Sequence, residues 1–149
     1  AAGMGLAAQL AYQKFEQKKA HLNELRRYFL EGVHKLEDVS INGWDETADG
    51  EECIDKRAPH IVSVSFIGVR SEVLLNALSD RGIYVSSGSA CSSNHPALSS
   101  TLQAIGLDKK LIEGTLRFSF CENTTKEELD QALKALQELL PMLRRYTRR

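Results

Sequence analysis

Two short segments of this chain alternate apolar and polar residues with a period of two. In the first, Val62, Val64 and Phe66 face one way and Ser63 and Ser65 the other. In the second, Leu116, Phe118 and Phe120 oppose Arg117 and Ser119. Successive side chains of a strand point to opposite faces, so each segment forms a half-buried strand. A sheet made from them has one apolar face that another layer must cover. The covering layer can be read from the sequence as well. Phe15, Leu22, Leu25, Phe29, Val33 and Leu36 recur at helical spacing within a helix expected from about Leu6 to Leu36. Leu129, Leu133, Leu136, Leu140 and Leu143 do the same in a last helix, which opens on a capping box, Thr125 and Glu128. Pro141 is expected to kink or break that helix, because it has no N–H to continue the ladder.

The segments between these are shorter. Val39 to Ile41 reads as a strand and residues Asn42 to Arg57, acidic and with two glycines, as a loop. Ser71 is expected to cap a helix with Val73, Leu74, Leu75 and Leu78 on its apolar face, stopped by Gly82. Ile83 to Val85 reads as a short strand. A helix started by Pro96, with Leu98, Leu102 and Ile105 on one face, is stopped by Gly106. The expected fold is therefore α/β (α+β): a small two-layer domain, its mixed or antiparallel sheet covered by helices and preceded by a long helix.

Composition excludes several classes. The chain is 42% hydrophobic and 26% charged, with a formal net charge of -1. Those are the proportions of an ordinary globular protein, and they give no electrostatic reason to expect nucleic acid or a membrane surface as a partner. Arg144, Arg145, Arg148 and Arg149 are read as a solvated helix end matching the negative pole of the helix dipole. No apolar run approaches a membrane span, and no signal-peptide pattern is seen. Three cysteines, Cys53, Cys91 and Cys121, are too few for a disulfide framework, which fits a cytoplasmic setting. The chain starts in helix-like sequence without an initiator methionine and is expected to be a piece of a longer polypeptide.

Chemistry concentrates in one stretch, Ser86-Ser87-Gly88-Ser89-Ala90-Cys91-Ser92-Ser93. A structural cysteine is usually packed among apolar neighbours, and Cys91 has none in sequence. On local sequence alone it is either a reactive thiol on a flexible arm or an idle exposed one. Arg117 projects from the non-core face of its strand. There it either holds a carboxylate in a bidentate fork or is a plain surface cation. Cys53 lies in an acidic loop, and Cys121 ends a strand and is expected to be half-buried; neither is assigned a role. Cys91 and His95 lack a second ligand pair at zinc spacing, so no metal site is expected. His21, His34 and His60 read as helix-surface or strand-end residues. No phosphate-binding glycine loop, nucleophile elbow or catalytic carboxylate pair occurs.

The stretch Tyr84 to Ser93 resembles the active-site loop of cysteine desulfurases of the NifS/IscS type, in the class V aminotransferase family. Ser63-Val64-Ser65-Phe66, Leu102-Gln103-Ala104-Ile105-Gly106-Leu107, Leu116-Arg117-Phe118-Ser119-Phe120 and the Thr124-Thr125 and Glu127-Glu128 pairs agree with it, so the resemblance runs over the whole chain. It implies an enzyme that uses pyridoxal 5'-phosphate to convert L-cysteine to L-alanine. Cys91 is then the nucleophile that keeps the sulfur as a persulfide, and Arg117 binds the substrate carboxylate. The cofactor-lysine motif of the family does not occur here. The resemblance is therefore to the C-terminal small domain, as in fold-type I transferases. Residues 1–38 become a connecting or interface helix, and 39–149 the small domain with a mobile cysteine loop at 86–95. No cofactor is expected on this piece, which is expected to be inactive alone. The implied partners are L-cysteine, a sulfur acceptor (an iron–sulfur scaffold or a tRNA-thiolation protein) and a second copy in a full-length homodimer. The one metal role left open is transient iron–sulfur ligation by Cys91. The alternatives are a standalone thiol or persulfide carrier, an interaction module, a selenocysteine lyase and a redox-sensing cysteine.

Overall fold

The structure is a computed structural model that describes residues 2–43, 45, 57–88 and 99–147. Among the described residues the elements run α1 (Ala2–Tyr12), α2 (Phe15–Val33), β1 (Val39–Asn42), β2 (Ile61–Phe66) and α3 (Ser71–Ser79). There follow β3 (Ser86–Ser87), α4 (Ser100–Ala104), α5 (Lys109–Glu113), β4 (Thr115–Ser119) and α6 (Lys126–Thr147). The four strands form one sheet in the order β1-β2-β4-β3, and every neighbouring pair is antiparallel. The expected two-layer α/β architecture is what forms.

The period of two in the sequence becomes the two faces of this sheet. Val62 pairs with Phe118 and Val64 with Leu116, so the apolar residues of β2 and β4 share one face. Leu25, Phe29, Leu30 and Val33 of α2, Leu74 and Leu78 of α3, and Leu129, Leu136, Leu139 and Leu140 of α6 bury that face. Phe29 sits between layers, its ring 4.9 Å from Phe118 and 5.5 Å from Phe120. Fully burying a side chain of this size contributes about 1.5–3 kcal/mol. Ion pairs on the surface, such as Glu24 with Lys126, are screened by water and add less.

Most local signals in the sequence are realised. Thr125 and Glu128 cap α6 reciprocally: the Thr125 N–H donates to Glu128 Oε2 at 2.9 Å and the Glu128 N–H to Thr125 Oγ1 at 3.3 Å. Gly82 and Gly106 have φ of 75° and 81° and end their helices as predicted, since a side chain is disfavoured there. Other expectations are corrected. The first helix is broken at Lys14, whose φ of 56° lies in the left-handed region, and α1 buries none of its residues. A two-residue turn interrupts the hydrogen-bond ladder without disturbing the apolar periodicity that suggested one helix. Ser71 is the first helical residue rather than the cap, and Arg70 takes the cap position with no side-chain bond. Residues 83–85 make no strand; β3 comes directly after them. The helix after the serine-rich stretch starts at Ser100 and is capped by Ser99, while Pro96 lies outside the described residues.

Pro141 does not end α6, which runs on to Thr147. Its last turns are held from outside. Arg144 donates to the carbonyls of Ile67 (3.0 Å), Glu37 (2.8 Å) and Asp38 (3.0 Å). This overturns the reading of Arg144 as a solvated cation. Its guanidinium ties the last helix to the α2–β1 connection, where Asp38 itself has a φ of 52°.

Gly114 marks the tightest approach to backbone among the described glycines. Its carbonyl accepts from the Phe66 N–H at 2.9 Å, and a Cβ there would run into the carbonyl oxygens of Phe66 and Val69. Backbone cannot move aside as a side-chain end can. Gly114→Ala is expected to cost about 1–3 kcal/mol, the usual range for overpacking. Leu136→Ala, at a fully buried position, is expected to cost about 2–5 kcal/mol. Denaturant midpoints at constant m-value check both, and an unshifted Gly114→Ala midpoint would show that β2 can give way.

Candidate functional site

Leu116 and Phe118 are buried on the core side of β4, which fixes the opposite direction for Arg117 between them. Arg117 is exposed on the polar face. The register gives it two cross-strand neighbours. Ser63 of β2 is its Cα partner on one side and Ser86 of β3 on the other. Directly opposed residues on one face have Cβ atoms about 4.5–5.5 Å apart, within reach of an arginine head. Among the described residues no hydrogen bond or ion pair occupies the Arg117 guanidinium. A planar fork with two free edges beside two hydroxyls suits a carboxylate.

The rest of the polar face is a hydrogen-bonded row. Asn42 Nδ2 donates to Ser63 Oγ at 3.1 Å and to Ser65 Oγ at 2.9 Å. Ser65 Oγ lies 2.7 Å from Thr115 Oγ1, which donates to the Leu111 carbonyl at 2.7 Å. Burial of Ser65 and Thr115 is compensated by these bonds. Ser63 and Asn42 did not stand out in the sequence as site residues. The signal was present, since Ser63 has the polar parity of its strand, but parity does not reveal which strand lies alongside.

Of the serine-rich stretch, Ser86 and Ser87 are strand residues paired with Arg117 and Leu116. The expected mobile loop at 86–95 therefore has an ordered first part. Gly88 follows in a turn, where an added Cβ would stand 3.2 Å from the Cβ of Ser99. Gly88 and Ser99 are thus neighbours, on either side of the residues that contain Cys91. Ser89, Ala90, Cys91, Ser92, Ser93 and His95 lie outside the described residues, as does Cys53.

Cys121, expected to be half-buried, is instead an exposed free thiol, because it lies just past the end of β4. Thr124 Oγ1 donates to its Sγ at 3.6 Å, and the N–H groups of Asn123 and Thr124 add to this. Donors aimed at sulfur favour the thiolate, so the Cys121 pKa is lowered, first by Thr124 and then by the backbone. Its strand-end position in the sequence gave no hint of this. No group of three or more metal-ligating side chains occurs among the described residues.

A pyridoxal phosphate needs an amine for its Schiff base and a cradle of donors for its phosphate. The four strands carry no lysine, and Arg117 is their one cation. This face fits a carboxylate and does not fit the cofactor.

The family model described as Aminotransferase class-V matches residues 1–132. Cysteine desulfurase IscS of Vibrio cholerae is 39% identical over 142 residues, which covers 95% of this chain and 32% of that protein. The protein of the same name from Photobacterium profundum is 37% identical over 142 residues, with the same coverages of 95% and 32%. Among solved structures, a NifS-like protein superposes with a TM-score of 0.70 at 29% identity, covering 90% of this chain and 31% of that one. A NifS-like protein from Rickettsia africae superposes with a TM-score of 0.74 over 94% of this chain and 34% of its own; at 17% identity that likeness concerns the fold alone. The chain spans about a third of the length of the curated relatives it matches, 32%.

The Cys121 geometry makes a direct prediction. Its alkylation by iodoacetamide should stay fast to lower pH than that of an ordinary thiol, because the lowered pKa keeps more of it as thiolate. Thr124→Val should move the midpoint of that pH profile upward. Peptide mapping of alkylation against pH checks this, and coincident profiles would count against the Thr124 contact.

Proposed function

The chain belongs to the class-V aminotransferase family, and we propose that it is the C-terminal part of a cysteine desulfurase. The full enzyme is one that converts L-cysteine to L-alanine with pyridoxal 5'-phosphate and holds the sulfur as a persulfide on Cys91. The observation that carries this reading is the register of β3 on β4. It puts Ser86, at the foot of the segment that leads to Cys91, directly beside Arg117. In this reading the carboxylate anchor stands beside the strand from which the chain runs on to the sulfur acceptor. The 39% identity to proteins named cysteine desulfurase supports the same reading.

The division of labour follows from the residues present. Arg117 holds the substrate carboxylate in its fork, which orients the amino acid. Cys91, set among small hydroxylated residues in the sequence, receives the sulfur. The cofactor is bound by the rest of the enzyme and supplies an electron sink for the amino acid. Residues 1–38 then join the two parts, and 39–149 form the small domain. Met4, Leu6, Leu10 and Tyr12 are exposed on α1, as befits a segment that packs elsewhere. By itself this chain has no desulfurase activity in this reading. The enzyme acts in the cytoplasm as a homodimer and passes sulfur to an acceptor protein, an iron–sulfur scaffold or a tRNA-thiolation protein.

Two outcomes are expected in the full-length enzyme. Cys91→Ser should abolish protein-bound persulfide, detected as one added sulfur by intact mass after L-cysteine. Persulfide on Cys121 in that variant would move the sulfur carrier. Arg117→Lys should raise the KM for L-cysteine about tenfold or more, since hydrogen bonds to charged groups contribute about 1.5–3 kcal/mol. An unchanged KM would remove Arg117 from the substrate site.

A further inference from the structure

The polar row beside Arg117 has a direction, and the direction ends at Ser63. Thr115 commits its single hydroxyl proton to the Leu111 carbonyl at 2.7 Å. Its contact with Ser65 at 2.7 Å therefore requires the Ser65 proton. Ser65 also has Asn42 Oδ1 within 3.1 Å, but it has one proton, and the shorter bond takes it. The oxygen of Ser65 is then an acceptor for Asn42 Nδ2 at 2.9 Å. The second proton of the same amide goes to Ser63 Oγ at 3.1 Å. Ser63 is left as an acceptor on that side and with its own O–H uncommitted among the described residues. Ser63 is half-buried. In register beside it stands Arg117.

We propose that Ser63 is a second substrate-binding residue, whose hydroxyl donates to the carboxylate held by Arg117. Asn42 is the residue that positions it, because the amide occupies the Ser63 lone pair and turns the proton outward. A carboxylate has about four lone-pair sites, and a bidentate arginine fills two of them. Ser63 serves one of the remaining two, from the β2 side of Arg117. This makes the site selective for an α-carboxylate over a neutral amide. The inference rests on the reading of Arg117 given above.

The test uses the full-length enzyme with Ser63→Thr and Ser63→Val, two side chains of the same shape that both suit a strand and differ in the hydroxyl. The KM for L-cysteine is expected to be about tenfold higher in Ser63→Val than in Ser63→Thr. The two kcat values should lie within about twofold of each other, because a contact made equally in ground and transition states acts on KM. Competitive inhibition by L-alanine should weaken by the same factor as KM rises, while inhibition by L-alaninamide should be equal in the two variants. Equal KM values for Ser63→Val and Ser63→Thr overturn the proposal. Arg117→Lys, measured alongside, separates the two levels. A raised KM there with equal Ser63 variants removes Ser63 alone, whereas an unchanged KM in Arg117→Lys removes the carboxylate site and Ser63 with it.

Discussion

The pairing register of β4 is the constraint on which everything else depends. Leu116 and Phe118 face the helices and Arg117 and Ser119 face away, and a strand has only these two directions. A slip of one residue would put Arg117 against Phe29 and bring Leu116 and Phe118 into the polar row. Burying an unpaired guanidinium costs far more than any surface contact returns. The aromatic contact of Phe29 with Phe118 and Phe120 therefore does two jobs. It closes the core, and it points Arg117 outward with its neighbours already chosen.

The opposite face follows another logic. It is polar, but it is not simply solvated surface. Asn42, Ser63, Ser65 and Thr115 satisfy one another across three strands. Such a row leaves the Ser63 hydroxyl proton uncommitted, among the described residues, beside Arg117. An anion finds a prepared partner there, whereas a cation would not. Satisfied polar networks also resist rearrangement, because every broken bond leaves a neighbour unpaired.

Some of this was legible in the sequence and some was not, and the difference has physical causes. The strands around Val64 and Phe118, the glycine stops at Gly82 and Gly106 and the box of Thr125 with Glu128 are local signals, decided within a few residues. The break at Lys14 escaped because a single left-handed residue leaves the apolar spacing intact. The helix from Lys109 to Glu113 is too short to show a period. Residues 83–85, apolar and β-branched in part, read as a strand from propensity, yet the ladder forms at Ser86 and Ser87, whose strand character comes from their partner. Arg144 read as a helix-end cation because three backbone carbonyls distant in sequence cannot be inferred from its neighbours.

For the candidate site the same boundary applies. The sequence by itself determined that Arg117 leaves its strand on the non-core side, and that Cys91 is set among small, hydroxylated residues. Both are consequences of side-chain type and period two. Only the tertiary structure decided that β4 lies between β2 and β3. That order gave Arg117 its flanking serines, put the foot of the serine-rich stretch beside it and brought Gly88 against Ser99. Strand neighbours are chosen by pairing between segments far apart in the chain and by the helices that cover them, so no local pattern carries that information.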